Sequence, residues 1–567
     1  MQHEITGEEI SVRAGCGSWA ALWTPAFAGE AVLRTKTKTL ETNPLPPSGR
    51  GLQAAFRLLL TPMAILLVWE VLGRLRLIGG GALPAPSAIL LQAWDDRAVY
   101  PGHILATLLP AGAGFVLGNA LAVAAALAFL LSPGLERLLR GFSVALFAIP
   151  GIALTPVLII TLKGDWPQIA LAAISVYFPT MVATLLGLRE ADARSADIIR
   201  CYGGGDIAIL RLLRWRACLP ALLGGLRLAA PAAVLGAILA EFGSGARWGL
   251  GSFLLGSLGR GNPARLWGIG LAATLVAAVA FTTFSWLTRA LTRDTLPATI
   301  AVAPPAAPAR ASASPWQERA LTLGSLVMPF AIWQLVLTGL GVSPVIARTP
   351  VQIFDSLVGD PGAAELRGTI GAALAQSLPL AGAGLGLGLG CAFLMALLGI
   401  LRPGLVRSLL PAALVLQTMP LVALTPLIVL VFGRGVAATL VITVSVTFFP
   451  AFITIAQGLA AMPRPAADLV RVYGGSRRQI LWYVAVPSAL PYLFAASRLV
   501  APRALLGVMI AEWLATGYGL GNLLNQARGE LDYGMIWAVA FVSAAVSVGF
   551  YGAVQVVERR VLAQFGS

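Results

Sequence analysis

The sequence predicts an all-α membrane protein with about twelve transmembrane helices, arranged as two parallel six-helix repeats. The 567 residues are 57% hydrophobic and only 11% charged, whereas soluble domains average about 25% charged residues. Apolar runs of about 20 residues recur along the chain, and that length crosses the hydrocarbon core of a bilayer. The second half of the chain also repeats the first half, which indicates an internal duplication.

The apolar segments fall into two sets of six, one in each half of the chain. Each set predicts six membrane-spanning helices. The predicted spans are 58–78, 105–131, 141–162, 167–187, 219–241 and 266–288 in the first half, and 320–341, 372–400, 405–432, 436–458, 488–512 and 534–557 in the second half.

The repeat keeps one register, 271 residues, over a stretch of about 60 residues. Shared hydrophobicity does not explain this register, because the matched positions include Tyr, Gly, Pro, Arg and Glu. The matched pairs include Tyr202 and Tyr473, Gly203 and Gly474, Pro220 and Pro491, Arg227 and Arg498, Pro231 and Pro502, and Glu241 and Glu512. The sequence therefore predicts two domains of one fold.

Composition marks the boundaries of these two domains. Residues 1–52 are polar and mixed and predict a disordered N-terminal tail, and residues 291–318 form a Pro/Ala-rich linker that has too few large apolar residues for a core. The transmembrane domains are then 53–290 and 319–567.

An even number of spans in each half makes both halves enter the membrane from the same side. Most Lys and Arg residues lie in the termini, in the linker and in the loops that follow spans two and four. The positive-inside rule places those segments and both termini in the cytoplasm. The net charge of +15 therefore belongs to loops that face the membrane surface, and we expect no nucleic-acid partner.

The loop after span four carries the same polar sequence in both halves, RCYGGGDIAILRLLRWR from Arg200 to Arg216 and RVYGGSRRQILWYVAVP from Arg471 to Pro487. Each copy predicts a helix, a turn at a glycine pair and a second helix, and Ser476 is a candidate N-cap. A cationic amphipathic connector that binds membrane lipid is one explanation. A lipid anchor needs no glycine pair at a fixed distance before the next span, so the repetition favours a docking site.

The two loops resemble the cytoplasmic coupling loop of ABC-importer permeases, whose motif runs Glu-Ala-Ala, three residues, Gly, nine residues, Ile, one residue, Leu-Pro. In the second half, Asp468-Leu469-Val470, Gly474, Val484 and Val486-Pro487 occupy these positions. In the first half they are Asp197-Ile198-Ile199, Gly203, Leu213 and Trp215-Arg216. The Glu-Ala-Ala letters are replaced in both copies, and the first copy lacks the proline.

Further segments resemble the nitrate/sulfonate/taurine-type permeases, namely LPAPSAIL, SRRQILWYVAVPSALPYLFAASR, AEWLATGYGLGNLL and VERRVL. The resemblance implies a bacterial plasma (inner) membrane protein that imports a small, anionic solute. It implies two ATP-binding-cassette ATPase subunits and an extracytoplasmic solute-binding protein as partners, beside membrane lipid. The residues assigned to the ATPase-coupling loops are Asp197, Tyr202, Gly203, Gly204, Asp468, Tyr473, Gly474, Gly475, Ser476, Arg477 and Pro487.

The chain itself carries no signature of ATP binding or of catalysis. Lysine occurs only at positions 36, 38 and 163, so a phosphate-binding loop of the Gly-Lys-Ser/Thr type cannot form. We therefore expect no enzyme activity, no metal site and no bound cofactor, with ATP acting through the partner subunits.

Four residues in the fifth spans are candidates for gating or for lining the pathway. Glu241 and Glu512 end these spans, and a carboxylate within a membrane protein is functional by default. We favour a structural or gating role over direct contact with the solute. Pro231 and Pro502 remove a backbone donor inside the same spans, which predicts a fixed kink or a hinge.

Three alternatives stay open at the level of sequence. An ion-coupled secondary transporter also has two parallel halves, but it predicts ionisable residues at mid-membrane depth. A membrane scaffold or enzyme predicts a site that the sequence does not show. A fused iron- or thiamine-type permease keeps the class and changes the solute.

Overall fold

The structure is a computed structural model that describes residues 63–292, 315–402 and 421–564, apart from positions 65, 78, 340, 342, 344, 345 and 461. The described residues form helices and short connections, and none of them lies in a β-strand. The predicted tail 1–52, most of the predicted linker and residues 405–420 of the predicted span 405–432 lie outside the described residues.

The described part of the first half contains nine α-helices of nine residues or more, after a helical stretch at residues 66–74. They are α1 (Pro86–Asp95), α2 (Tyr100–Leu131), α3 (Pro133–Ala148), α4 (Gly151–Thr161), α5 (Trp166–Arg189), α6 (Ala193–Cys201), α7 (Trp215–Ser244), α8 (Leu250–Leu258) and α9 (Pro263–Leu291).

The second half repeats this order among its described residues. Its helices are α10 (Pro315–Gly339), α11 (Pro350–Val358), α12 (Ala363–Leu401), α13 (Leu421–Phe432), α14 (Val436–Ala460), α15 (Arg464–Val472), α16 (Val486–Ala511), α17 (Leu520–Gly529) and α18 (Tyr533–Gln564). Helices α11 and α12 correspond to α1 and α2, and α13 to α18 correspond to α4 to α9.

Eight helices in the described part are long and apolar enough to cross a membrane: α2, α5, α7, α9, α12, α14, α16 and α18. The prediction of an all-α membrane protein built from two repeats is confirmed. Helices α7 and α16 are the most buried of the eight, so each is the central helix of its half.

The third predicted span, 141–162, is wrong as a single helix. Helices α3 and α4 meet at an angle of 97°. The chain is extended at Ile149 and Pro150, because proline lacks a backbone donor and its ring disfavours a helical conformation of the preceding residue. Hydropathy alone does not show such a break, since both helices are apolar.

Small residues let the helices of each half approach closely. A Cβ atom at Gly114 in α2 would lie 2.5 Å from the Ile169 carbonyl oxygen in α5, and one at Gly384 in α12 would overlap Thr443 in α14. Close backbone approach of this kind replaces the hydrophobic driving force that helices lack in lipid.

Matched tryptophans extend the repeat to the first span. Trp69 contacts Trp267, and Trp333 contacts Trp537, each with ring centroids 5.4 Å apart. The indole N–H of Trp267 donates to the Ala82 carbonyl oxygen at 3.1 Å, and Trp537 makes the equivalent bond to Ile346. The first and last spans of each half are therefore joined in the same way.

The two halves pack directly on each other. Helix α10 of the second half lies against α3 of the first half, where a Cβ atom at Gly141 would overlap Ser325. In addition, the buried hydroxyl of Ser547 in α18 donates to the Ala148 carbonyl oxygen at 2.5 Å. The break between α3 and α4 is thus part of the junction between the halves.

Among the described residues, the buried ion pair between Asp96 and Arg265 has no equivalent in the second half. Asp96, at the end of α1, accepts bonds from Nε and Nη2 of Arg265 at the start of α9, and the Nε–Oδ2 distance is 2.7 Å. Asp96 is 5% exposed. The hydrogen bonds from Arg265 lower the pKa of this carboxyl below its usual value. Met535 occupies the position of Arg265 in the second half.

Replacing Asp96 with Asn should destabilise the chain by about 3–5 kcal/mol, because the Arg265 guanidinium would stay buried without its counter-charge. Since the pKa of Asp96 is lowered in the folded state, the ion pair stabilises the fold above the unfolded pKa of about 3.9. That contribution is lost as the pH falls through the folded pKa. Thermal unfolding in detergent should therefore show a larger difference from wild type at pH 7 than at pH 3.

The matched control is Asp95→Asn, which removes an exposed carboxylate one residue away. Equal unfolding temperatures for Asp95→Asn and Asp96→Asn would contradict a stabilising role of the ion pair.

Candidate functional site

Residues 464–487, from α15 to the start of α16, form a helix–turn–helix that we call the second elbow. Helix α15 ends at Val472, and Gly474 has a φ of +76°. The N–H groups of Gly474 and Gly475 donate to the carbonyl oxygens of Arg471 and Val470 at 2.9 and 2.8 Å. These bonds close the end of α15 and turn the chain back toward the membrane.

The two glycines of the second elbow are required for different reasons. Gly474 has a left-handed conformation, which costs other residues roughly 1–2 kcal/mol. Gly475 has no such φ, but a Cβ atom there would lie 2.6 Å from the Val470 carbonyl oxygen. Gly-Gly is therefore the sequence that this turn demands.

The first elbow, residues 193–216, has the same backbone. Gly203 has a φ of +81°. Gly203 and Gly204 donate to the carbonyl oxygens of Arg200 and Ile199, both at 2.9 Å. A Cβ atom at Gly204 would lie 2.9 Å from the Ile199 oxygen. The predicted elbow thus occurs twice, with equivalent hydrogen bonds.

The chain enters the next span through a short helix and a π-helical turn in both elbows. In the second elbow, the Ser476 hydroxyl accepts from the Gln479 N–H and the Gln479 side chain accepts from the Ser476 N–H, which confirms the predicted N-cap. In the first elbow, Gly205 is the N-cap and no side chain caps the helix. The π turns are Leu210–Arg214 and Leu481–Ala485, and Pro487 lies in the first turn of α16.

Each elbow presents apolar side chains to its surroundings. Tyr202 is 88% exposed in the first elbow, and Val472 and Tyr473 are 83% and 84% exposed in the second. Ile198 and Leu469 occupy equivalent positions and are also exposed. An exposed apolar patch with a polar rim is typical of a protein–protein contact.

The acidic residues predicted for the elbows lie at this rim. Asp197 pairs with Arg200 at 2.8 Å, and Asp468 pairs with Arg471 at 2.5 Å, in both cases three residues apart on an exposed helix. Arg477 is exposed at the start of the short helix. Surface pairs of this kind stabilise little, so their charge is available to a partner.

The far ends of α7 and α16 carry a second repeated arrangement, which we call the carboxylate junction. In the second half, Glu512 is 1% exposed. Its Oε1 accepts from the Ser377 hydroxyl at 2.7 Å and its Oε2 from the Gly521 N–H at 2.9 Å. Ser377 accepts in turn from the Leu520 N–H at 2.9 Å. Together these groups satisfy the first backbone donors of α17.

The first half builds the same junction. Oε1 of Glu241 accepts from the Thr107 hydroxyl at 2.6 Å, and Oε2 accepts from the Gly251 N–H at 2.6 Å. Thr107 accepts from the Leu250 N–H at 2.8 Å. Because Glu241 is 2% exposed, both predicted pathway carboxylates lie inside helix junctions in this conformation.

The two junctions also differ. In the second half, Glu512–Thr516 is a π-helical turn, whereas α7 stays α-helical to Ser244. In the first half, Nδ1 of His103 lies 3.0 Å from the Gly249 nitrogen and its ring stacks on Phe253. Ala373 occupies the position of His103 in the second half. The first junction is therefore more extensively bonded.

Helices α7 and α16 join an elbow at one end to a carboxylate junction at the other. The helices continue through Pro231 and Pro502. With 30 and 26 residues and a rise of about 1.5 Å per residue, they are about 45 and 39 Å long. Because each helix is continuous, a displacement of either elbow is expected to displace the end of the same helix on the far side of the bundle.

Sequence reasoning missed the hydroxyl partners Thr107 and Ser377. Ser and Thr are common in membrane helices and usually bond their own backbone, so neither residue stands out alone. The repeat could have revealed them, because they are 270 residues apart and both are hydroxylated.

Comparison with known proteins agrees with two copies of one domain. A family model described as "Binding-protein-dependent transport system inner membrane component" matches residues 118–296 and 384–563. The matched segments cover more than half of the chain.

Three relatives are 26 to 33% identical to this chain over the aligned residues. A riboflavin transport system permease protein of Chloroflexus aurantiacus is 33% identical over 27% of this chain and 57% of its own length. A putative aliphatic sulfonates transport permease protein of Bacillus subtilis is 29% identical over 41% of this chain and 83% of its own length. A taurine transport system permease protein of Escherichia coli is 26% identical over 40% of this chain and 83% of its own length. The chain thus spans little more than half the length of the first of these relatives.

Replacing Glu512 with Ala should lower the stability of the chain by about 1–3 kcal/mol, because the Ser377 hydroxyl and the Gly521 N–H would lose their acceptor in a buried place. Glu512→Gln should cost less, since the amide keeps one acceptor and gains a donor that can reach Ser377. Thermal unfolding of the purified chain in detergent measures both effects.

The control for this series is Glu530→Ala, which removes an exposed carboxylate beyond α17. If Glu512→Ala and Glu530→Ala unfold at the same temperature, the junction does not stabilise the fold as described.

Proposed function

Because the chain belongs to the family of binding-protein-dependent transport system inner membrane components, we propose that it is the permease of an ATP-driven importer. Family members are permease components of ABC transporters. The two matched domains lie in one polypeptide, and we propose that together they form the translocation pathway. The observation that carries the proposal is the duplicated elbow with its exposed apolar side chains.

Each elbow docks on one ATPase subunit. Tyr202 and Tyr473 supply large aromatic anchors, and aromatic residues dominate the energy of protein–protein contacts. Two elbows per chain call for two ATPase subunits. ATP binds to those subunits, since this sequence lacks the lysine positions that a phosphate loop needs.

The family is one of inner-membrane components, and the apolar helices agree with that location. We place the elbows and both chain termini in the cytoplasm, because the arginine-rich loops follow spans two and four. The carboxylate junctions then face the opposite side, where an extracytoplasmic solute-binding protein delivers its solute.

The solute that we propose is a small anion of the sulfonate type. The relatives named for aliphatic sulfonates and for taurine each match over 83% of their own length. Those named for riboflavin and formylaminopyrimidine match over 57% and 62% of theirs. The sequence around Glu512, AEWLATGYGLGNLL, is also of the sulfonate type.

The geometry suggests how ATP drives access to the pathway. Closure of the ATPase dimer brings the two elbows together, and helices α7 and α16 transmit this displacement to the carboxylate junctions. Interfaces with two packed arrangements convert such a rigid-body movement into opening on one side and closing on the other.

The family assignment decides against the ion-coupled secondary transporter that the sequence left open. The arrangement of the acidic side chains is consistent with this. Glu241 and Glu512 each accept hydrogen bonds from a hydroxyl and a backbone N–H, so both are engaged in holding helices together.

Purification of the tagged chain from its native membrane in mild detergent tests the proposal. We expect an ATP-binding-cassette protein at two copies per chain. One copy per chain would show that a single elbow docks. A stable chain without any such protein would overturn the assignment of the elbows.

Replacing Tyr473 with Ala should weaken ATPase association by at least about tenfold, because the elbow loses an anchor of the contact. The fold should be unaffected, since the side chain is 84% exposed. The measurement is the affinity of the purified ATPase for the chain in detergent, followed by ATP-dependent solute uptake in proteoliposomes. Tyr202→Ala tests the first elbow in the same assay.

Leu91→Ala is the matched control, because Leu91 is 68% exposed but lies on α1, at the opposite end of the bundle. Gly474→Ala tests the backbone, since alanine is strained at a φ of +76°. Wild-type affinity in both tyrosine variants would rule out the elbows as the docking site.

A further inference from the structure

Arg503 places a positive charge in the second half only. It lies within α16, one residue after Pro502, and the equivalent residue of α7 is Ala232, 271 positions earlier. Arginine inside a membrane span is expensive and in most cases faces a protein interior or a water-filled cavity. The position of Arg503 on its helix identifies which of these it faces.

Three contacts fix the directions around α16. Arg498 pairs with Glu558 of α18 at 3.1 Å, Gly507 lies against Thr443 of α14, and Glu512 bonds to Ser377 of α12. With about 100° per residue, α14 lies about 180° and α12 about 320° around the axis from α18. Arg503 then lies at about 140°, opposite α12 and about 40° from the direction of α14.

The face of α16 that carries Arg503 is therefore directed away from the neighbouring helix α12 of its own half. Leu499 and Leu506 share this face at four and three residues from Arg503, and all three are partly exposed. The equivalent face of α7 carries Leu228, Ala232 and Leu235, and Leu228 is 47% exposed. Leu499, Leu506 and Leu235 pack in part against the buried core. Because α7 and α16 are the most buried spans, the exposure that remains on these faces points to a gap inside the bundle.

The gap lies where the halves meet. Helix α4 of the first half packs against both α16 and α18. In the first half, Leu239 continues the same face of α7, and a Cβ atom at Gly151 in α4 would lie 3.6 Å from its Cδ1 atom. Helix α4 therefore lies beside this face of α7 in its own half and beside α16 and α18 across the junction.

Arg503 has no counter-ion among the residues that the structure describes. The other arginine of α16, Arg498, has Glu558, and Arg227 in α7 stacks on Phe281 at 4.9 Å. Arg503 forms neither an ion pair nor a hydrogen bond with a described residue. A guanidinium in such a gap keeps five donors for another acceptor.

We propose that Arg503 is an anion-binding residue of the translocation pathway and that it takes the negatively charged group of the transported solute. The planar guanidinium suits two oxygens of a sulfonate, carboxylate or phosphate group. Leu499 and Leu506 of α16, and Leu228 and Leu235 of α7, suit contact with a short aliphatic part of the solute. The identity of the solute rests on the proposed function, but the charge effect of Arg503 does not.

Cysteine reactivity tests the charge effect without ATP, partners or a known solute. In the full chain with Cys16, Cys201, Cys218 and Cys391 replaced by Ser, Leu499→Cys and Leu506→Cys are introduced separately. Each is treated with sulfonatoethyl methanethiosulfonate, itself an aliphatic sulfonate, and with the cationic trimethylammonioethyl methanethiosulfonate. The ratio of the two rates cancels any effect of Arg503 on thiol ionisation.

Both cysteines should react, and the anionic reagent should be favoured. Arg503→Gln should lower the anionic-to-cationic ratio by at least about tenfold, since one unit charge acts over a short distance in a poorly screened space. Arg503→Lys should retain most of the ratio. Leu228→Cys in the first half is the matched control, and it should show no preference for the anionic reagent. Adding Ala232→Arg to this control should create that preference.

The proposal is overturned if neither cysteine reacts, because the face is then not open to water. It is also overturned if the ratio is the same with Arg, Lys and Gln at position 503. Uptake of ethanesulfonate by proteoliposomes with the ATPase and binding protein gives a separate answer. No ATP-dependent uptake in wild type, with the charge effect intact, would contradict the proposed function and leave the anion site standing.

Discussion

A helix that begins inside a membrane bundle has free N–H groups and no water to accept from them. Helices α8 and α17 begin in this way, and the carboxylates of Glu241 and Glu512 provide the acceptors. Each carboxylate also accepts from a hydroxyl of α2 or α12, so three helices meet at one side chain. The two carboxylates hold the far ends of α7 and α16. A movement of the elbows along these helices therefore acts on the carboxylate junctions.

Duplication gave both halves the same framework, and the differences between them are local. The elbows, the tryptophan pairs and the carboxylate junctions occur twice with equivalent bonds. His103 strengthens the first junction, while a π-helical turn follows Glu512 in the second. Arg503 places a positive charge on the side of the gap that belongs to the second half. One chain that contains both halves can hold such differences, whereas a symmetric homodimer must present the same residue on both sides.

Sequence reasoning reached the elbows because their backbone needs particular residues. A left-handed turn needs Gly474, and the close approach to Val470 needs Gly475. The glycine pair in the sequence therefore indicates the backbone geometry directly. It failed at Pro150, where two apolar helices meet at 97°, because hydropathy measures the solvent that a segment prefers and not its direction. It favoured a structural or gating role for Glu241 and Glu512, and their oxygens accept hydrogen bonds from Thr107, Ser377 and the backbone of the following helices.

The sequence by itself determined the class of the protein, the number of repeats and the two elbows. Each of these depends on local properties, namely the apolar length of a span, a register of matched residues and the conformational demands of glycine and proline. Only the tertiary structure decided which polar side chains are satisfied and which are free. Glu512 and Arg503 are both ionisable residues of one helical span, and the sequence alone does not show which of them has a partner. The packing of α12 against one face of α16 supplies a partner for Glu512, while the opposite side of α16 leaves Arg503 without one.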